Sequence, residues 1–163
     1  MTTKVQVHIR RIRCETFAEE ADETATMYLA SRRALMPGVR SPHNEAETRA
    51  WMRDVVFTRH SVRVAEVEGD IVGFASRDGV WLMNLYVKPG WTEHGIGTQL
   101  LRAMLVNAAS ATPLLRVCTF ARNERARHFL ENRGFRATGT GDSSANEEHE
   151  PELRYERSTR DLG

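Results

Sequence analysis

Two glycines, Gly95 and Gly97, stand between an apolar strand end and an apolar helical pattern in residues 85–101, LYVKPGWTEHGIGTQLL. Leu85, Tyr86 and Val87 read as the strand end, and Pro89 breaks it. Ile96, Leu100, Leu101, Met104 and Leu105 then fall at helical spacing on one face. Glycines at such a junction let the backbone turn tightly and approach a ligand closely. A helix start presents unpaired N–H groups and the positive end of its dipole, a setting for phosphate or pyrophosphate. Two common nucleotide loops are excluded. Thr98-Gln99 stands where a P-loop needs Lys-Ser or Lys-Thr, and Leu100 where a dinucleotide fingerprint needs glycine or alanine.

Other chemistry-bearing residues carry weaker patterns. Residues 146–152, NEEHEPE, form an acidic run, which ordinarily marks a solvated loop. His149 within it has no second histidine at ligand spacing, so no metal is expected. Cys14 and Cys118 lie far apart without C-x-x-C spacing, which points to a reduced compartment and a cytoplasmic protein. Cys118, in an apolar stretch, reads as an inert buried thiol. Trp51 and Trp81 suit a core as well as a pocket, and His43 precedes a helix cap.

The elements that must position these residues alternate with few gaps. Residues 5–13 alternate as a first strand. Thr16 with Glu19 suggests a capping box for a helix ending before Pro37-Gly38, and Asn44 with Glu47 a second cap. Residues 39–43 read as a polar loop. Residues 62–68, 71–77 and 80–88 form a three-strand meander turning at Gly69-Asp70 and Asp78-Gly79. After the glycine-loop helix come a buried strand at 114–120, a helix capped by Asn123 and ended by Gly134, and a strand from Phe135. A flexible polar loop at 139–151, a last strand at 153–157 and a frayed tail complete the chain.

This β-α-α-β-β-β-α-β-α-β-β order resembles that of the GCN5-related N-acetyltransferases, the GNAT family. Val87, Pro89, Gly95 and Gly97 match its pyrophosphate loop, Val-x-Pro-x-x-Arg/Gln-x-x-Gly-x-Gly/Ala, in register. Thr92 departs from the usual arginine or glutamine. Asn123, Ala126, Phe129, Glu131, Gly134 and Phe135 resemble the second cofactor segment, with Leu130 where the family has tyrosine. The resemblance implies a single α/β domain over residues 1–163. Its central sheet would be mixed and mostly antiparallel, of about seven strands flanked by about four helices.

It also implies acetyl-CoA as co-substrate, held by Leu85, Tyr86, Val87, Thr92, Glu93, His94, Gly95, Ile96, Gly97, Thr98, Asn123 and Leu130. Asn123 could equally be only a cap. Strand backbone over residues 84–87 would pair the pantetheine arm and supply an oxyanion donor. The acceptor would be a primary amine of a small molecule or peptide, bordered by His43, Trp81 and Asn84 and rimmed by the acidic run. Glu148, Glu150 and Tyr86 are the candidates for the base. Transfer would be direct, without a covalent enzyme intermediate. The alternative is a non-catalytic acetyl-CoA-binding sensor or partner subunit.

The bulk numbers fit these expectations. A chain of 163 residues suits one core, and 40% apolar with 28% charged residues is ordinary for a globular domain. A net charge of +1 offers no case for nucleic acid or a membrane surface, and no apolar run reaches membrane-span length. The expected state is a monomer or homodimer.

Overall fold

The computed structural model describes residues 5–39, 41–141 and 146–160. Its seven strands are β1 (His8–Arg10), β2 (Ser61–Val67), β3 (Asp70–Asp78), β4 (Trp81–Val87), β5 (Leu114–Phe120), β6 (Arg136–Gly141) and β7 (Glu152–Ser158). They form one sheet in the order β1-β2-β3-β4-β5-β7-β6, antiparallel throughout except for the parallel pair β4 and β5. The helices are α1 (Phe17–Leu35), α2 (Glu45–Trp51), α3 (Phe57–Arg59), α4 (Ile96–Ala109) and α5 (Glu124–Glu131). A π-helical stretch, Met52–Val56, joins α2 to α3, so these three form one continuous helix and the sheet is flanked by four helices. This is the α/β architecture expected from the sequence.

Helices cover both sheet faces, which is why central β3 is buried along nearly its whole length. Leu100, Leu101, Met104 and Leu105 of α4 pack with Leu115, Phe135 and Tyr155 on one face. Ala21, Ala25 and Met27 of α1 pack with Met52, Val56, Val64 and Phe74 on the other. Gly73 lets α4 settle onto β3: a Cβ there would lie 3.1 Å from Leu100, 3.1 Å from the Tyr86 carbonyl and 3.2 Å from Ile96.

Local signals mostly hold. Asn44 and Glu47 make the expected capping box, with Asn44 Oδ1 accepting from Glu47 N at 2.8 Å. The first hairpin turns through Glu68 and Gly69, both left-handed. Thr16 makes no side-chain cap, because a 3₁₀ turn, Cys14–Thr16, precedes α1. The carboxylate of Glu20 takes over instead, accepting from Arg13 N and the Arg10 guanidinium. The first strand is shorter than expected, and β5 is half covered: Leu115 is buried, but Cys118 is exposed. Arg40 of the expected loop at 39–43, residues 142–145 of the expected late loop, and the tail beyond 160 lie outside the described residues. No helix of the described residues is long and apolar enough to cross a membrane.

Candidate active site

The sheet opens where its one parallel pair should continue. β4 and β5 pair at Trp81 and Arg116, with Arg116 N donating to the Val80 carbonyl at 2.7 Å, and no register continues beyond. The opening is therefore at the carboxyl ends of two parallel strands, where open α/β sheets commonly bind ligands. β4 leads to the start of α4 and β5 to the start of α5, so both helix N-termini lie at this end.

The opening exposes specific backbone groups. Lys88 N donates to the Val72 carbonyl at 2.7 Å. By the alternation of an antiparallel ladder, Phe74 and Tyr86 form the next bonded pair. The N–H and C=O groups of Leu85 and Val87 are thereby turned away from β3, toward β5. Ser31 Oγ, fully buried on α1, donates to the Val87 carbonyl at 3.2 Å. Leu85 keeps both groups for another partner.

The start of α4 is left bare. Gly95 occupies the N-cap position at φ +76°, with no side chain to cap the helix, and the first intrahelical bond runs from Gln99 N to the Gly95 carbonyl. The N–H groups of Ile96, Gly97 and Thr98 precede that bond and have no partner within the helix. By contrast, Asn44 and Asn123 cap α2 and α5 with their side chains. Glu93 and Gly90 are also left-handed, and His94 Nδ1 lies 3.1 Å from the Thr92 carbonyl, folding the loop on itself. The two motif glycines have different roles. Gly95 supplies the left-handed turn, whereas Gly97 makes room for α5, since a Cβ there would lie 3.3 Å from the Phe129 ring.

A cation stands beside this helix start that the motif did not announce. Arg133 stacks over Phe129 at 3.8 Å, and its Nη2 and Nε donate to Thr98 Oγ1 at 2.7 and 3.0 Å. The only sequence signal was a basic residue directly before a helix-ending glycine.

On the α1 side, Tyr86 packs edge-on against Tyr28, with ring centroids 4.8 Å apart. Arg32 Nη1 donates to Tyr28 Oη at 3.1 Å and lies 3.5 Å from Glu148 Oε1. Burial pushes the Tyr86 phenol well above its usual range, with Tyr28 and Glu148 adding to it. A phenol so held stays protonated, a state that does not favour Tyr86 as the base. Tyr28 and Arg32 lie one helical turn apart on α1, a spacing too common to mark them in the sequence.

The acidic run is not a free solvated loop. Glu147 pairs with His43 at 2.6 Å, Glu148 with Arg32, and Glu150 with Arg122 at 2.8 Å. Asn146 fixes the turn, donating to the Glu150 carbonyl at 2.6 Å and accepting from Glu150 N at 3.1 Å. His43 also contacts Glu47 at 3.2 Å, and the two carboxylates, Glu147 first, raise its pKa. Glu148 alone of the three reaches the Tyr86 cluster, while Glu150 is drawn to the β5–α5 turn.

The remaining expected residues are dispersed. Trp81 begins β4 where the strands still pair, about 20 Å of extended chain from Val87. Asn84 is buried, its amide donating to Ser76 Oγ at 2.8 Å beside His60. Leu130 packs into the core under α4 at 4% exposure. Asn123 caps α5 through Ala126 N, and its Nδ2 reaches Met36 Sδ at 3.6 Å. The Cys118 thiol is held above its usual value by partial burial and Glu152, the wrong direction for a nucleophile. Among the described residues no cluster of His, Cys, Asp and Glu could hold a metal ion.

Comparison with known proteins agrees with this geometry. Residues 58–137 match the family model described as an acetyltransferase (GNAT) domain. No curated protein matches the chain in sequence. Among solved structures, a GCN5-related N-acetyltransferase from Rhodopseudomonas palustris superposes with TM-score 0.73 at 24% identity, over 97% of this chain and 99% of that one. The PaiA N-acetyltransferase of Thermoplasma acidophilum, in complex with coenzyme A, gives TM-score 0.69 at 17% identity, over 94% and 99%. An N-acetyltransferase from Staphylococcus aureus Mu50 gives 0.72 at 20%, over 95% and 99%. At these identities the structural likeness is one of fold.

Proposed function

We propose that this chain, a member of the GNAT acetyltransferase family, transfers an acetyl group from acetyl-CoA directly to a primary amine of a small molecule or peptide. The observation that carries the reading is the coincidence of an uncapped helix start with an unpaired stretch of β4 in one opening. Backbone N–H groups of Ile96, Gly97 and Thr98 would hold the pyrophosphate, with Arg133 adding the charge that Thr92 lacks. The edge of Leu85 and Val87 would hold the pantetheine arm. Leu85 N–H then faces the thioester carbonyl and stabilises the charge that grows on its oxygen.

Glu148 is the base in this proposal, taking the amine proton through water as the C–N bond forms and the C–S bond breaks. Its pairing with Arg32 keeps it at the Tyr86 cluster. Tyr86, held protonated, would donate a hydrogen bond to the departing thiolate in place of the tyrosine absent at Leu130, and the thiolate would take its proton from water. No enzyme-bound acyl intermediate is needed, which agrees with the raised Cys118 thiol.

Acetyl-CoA turnover with a panel of primary amines, read by release of free thiol, tests the reading. Glu148→Gln should lower kcat by about 10²–10⁴-fold, the usual worth of a positioned base, with little change in acetyl-CoA affinity. An undiminished kcat would remove Glu148 from the role. The burial of Leu130, which has no proton to donate, favours a second reading, a non-catalytic acetyl-CoA sensor or partner subunit. Binding without thiol release from any amine would select it.

A further inference from the structure

Away from the opening, a groove of about 690 Å³ runs between β1, β2 and the outer face of α4. Arg11, Arg63 and Arg102 line it beside Gln99 and Asn107, and among the described residues no carboxylate does. Arg77 stands at its margin, its Nη2 donating to Asn107 Oδ1 at 2.8 Å. We propose that this groove is a binding site for a multivalent phosphate-type oxyanion, separate from the acetyl-CoA site.

The convergence of three arginines on one groove, with no carboxylate among its described lining residues, carries the proposal. The chain holds nearly equal numbers of basic and acidic residues, 23 and 22. Several arginines elsewhere are met by carboxylates: Arg10 by Glu20 and Glu66, Arg32 by Glu148, Arg49 by Asp22 and Glu45, Arg122 by Glu150. Arg11, Arg63 and Arg102 have no such partner among the described residues. Arg63 is partly covered, and its one side-chain hydrogen bond goes to the neighbouring Val62 carbonyl at 2.9 Å. Burial, Arg11 and Arg77 all act against its charge.

Cations brought together without counter-charge repel one another, and an anion placed among them relieves that repulsion. Guanidinium groups present planar pairs of N–H donors that match the oxygens of phosphate. Gln99 and Asn107 add neutral polar groups on the same wall. The ligand chemistry is therefore a di- or polyphosphate, that of a free phosphorylated metabolite, whereas the phosphates of CoA are assigned to the glycine loop.

Calorimetric titration with inorganic pyrophosphate tests for a site distinct from that loop. The full chain is first saturated with CoA, so that the glycine loop is filled, and pyrophosphate is then added at low and at moderate salt. Saturable binding is expected. It should weaken at least tenfold in the Arg63→Gln/Arg102→Gln double variant and weaken with added salt. Arg53→Gln, which alters an exposed cation paired with Asp54, should leave it unchanged. Circular dichroism and the thermal midpoint establish that each variant is folded.

Absence of saturable pyrophosphate binding in the wild type would overturn the proposal, as would equal affinity in the folded double variant. Pyrophosphate binding that disappears on CoA saturation would also overturn it, assigning the anion to the cofactor loop. Failure of the protein to bind CoA would count against the acetyl-CoA reading alone. The double variant would still report on the groove.

Discussion

Gly95 is the residue on which the cofactor site turns. A Cβ there meets nothing within 4 Å, and aspartate is among the residues that tolerate the left-handed conformation. Gly95→Asp should therefore fold, with a thermal midpoint within a few degrees of the wild type, roughly a 1 kcal/mol effect. It would put a carboxylate where the pyrophosphate is proposed to sit, and acetyl-CoA affinity should fall at least tenfold by calorimetry. Gly97→Asp would be a poorer probe, because Phe129 stands against that position. The missing cation at Thr92 gives a paired test. Arg133→Gln should weaken CoA binding, and Thr92→Arg should strengthen it. A charge-assisted hydrogen bond is worth about 1.5–3 kcal/mol at best, and solvent exposure at Thr98 will reduce it. Both effects should shrink as salt is added. Unchanged affinity in both variants would mean that no side-chain cation contributes there.

At the scale of elements, the opening exists because β4 must satisfy two neighbours that diverge. It runs in register with β3 as far as Val87, yet with β5 only near Trp81. α4 holds the β3–β4 side together by packing over Gly73. Gly73→Ala would press a methyl group against the Tyr86 carbonyl, which belongs to backbone and cannot swing aside. Overpacking of this kind costs about 1–3 kcal/mol, readable as a lower denaturation midpoint. Cofactor affinity should fall with it, since the displaced strand carries the Leu85 and Val87 edge. A variant as stable as the wild type would show that α4 and β4 are not in fixed contact.

At the scale of the whole molecule, residues 146–150 tie separate elements together. Glu147 joins them to the start of α2 through His43, Glu148 to α1 through Arg32, and Glu150 to the β5–α5 turn through Arg122. The His43 contact is exposed and pH-dependent. Its pKa is raised in the fold by Glu147 and Glu47, so its contribution is complete below the ordinary histidine range and is lost as pH rises through the raised value. The Glu47 carboxyl is lowered by His43 and the Asn44 N–H, so its share is present above the ordinary glutamate range and is lost as pH falls through the lowered value. The tie should be strongest between these limits. Hydrogen exchange at residues 146–150, corrected for intrinsic rates, should accelerate as pH rises above the His43 transition. His43→Gln should abolish that step, and a step that persisted would assign it to another group.

The sequence by itself determined what local chemistry can determine. The Asn44–Glu47 cap, the Asn123 cap, the order of strands and helices along the chain and the glycine junction each depend on residues a few positions apart, and each was legible there. The Thr16 cap failed because a 3₁₀ turn runs into α1, and a tertiary contact stands in its place: Glu20 is engaged by Arg10, held in β1 across from β2. Tertiary structure alone decided the rest, because it depends on which distant groups meet. Trp81 and Tyr86 share a strand but lie toward opposite ends of it. Three of the four glutamates of one run are drawn to three different cations. Arg133 reaches Thr98 across 35 positions of chain, and the parting of β4 from β5 is a register between strands separated by a helix. Pairings at such separations leave no periodicity for a sequence to display.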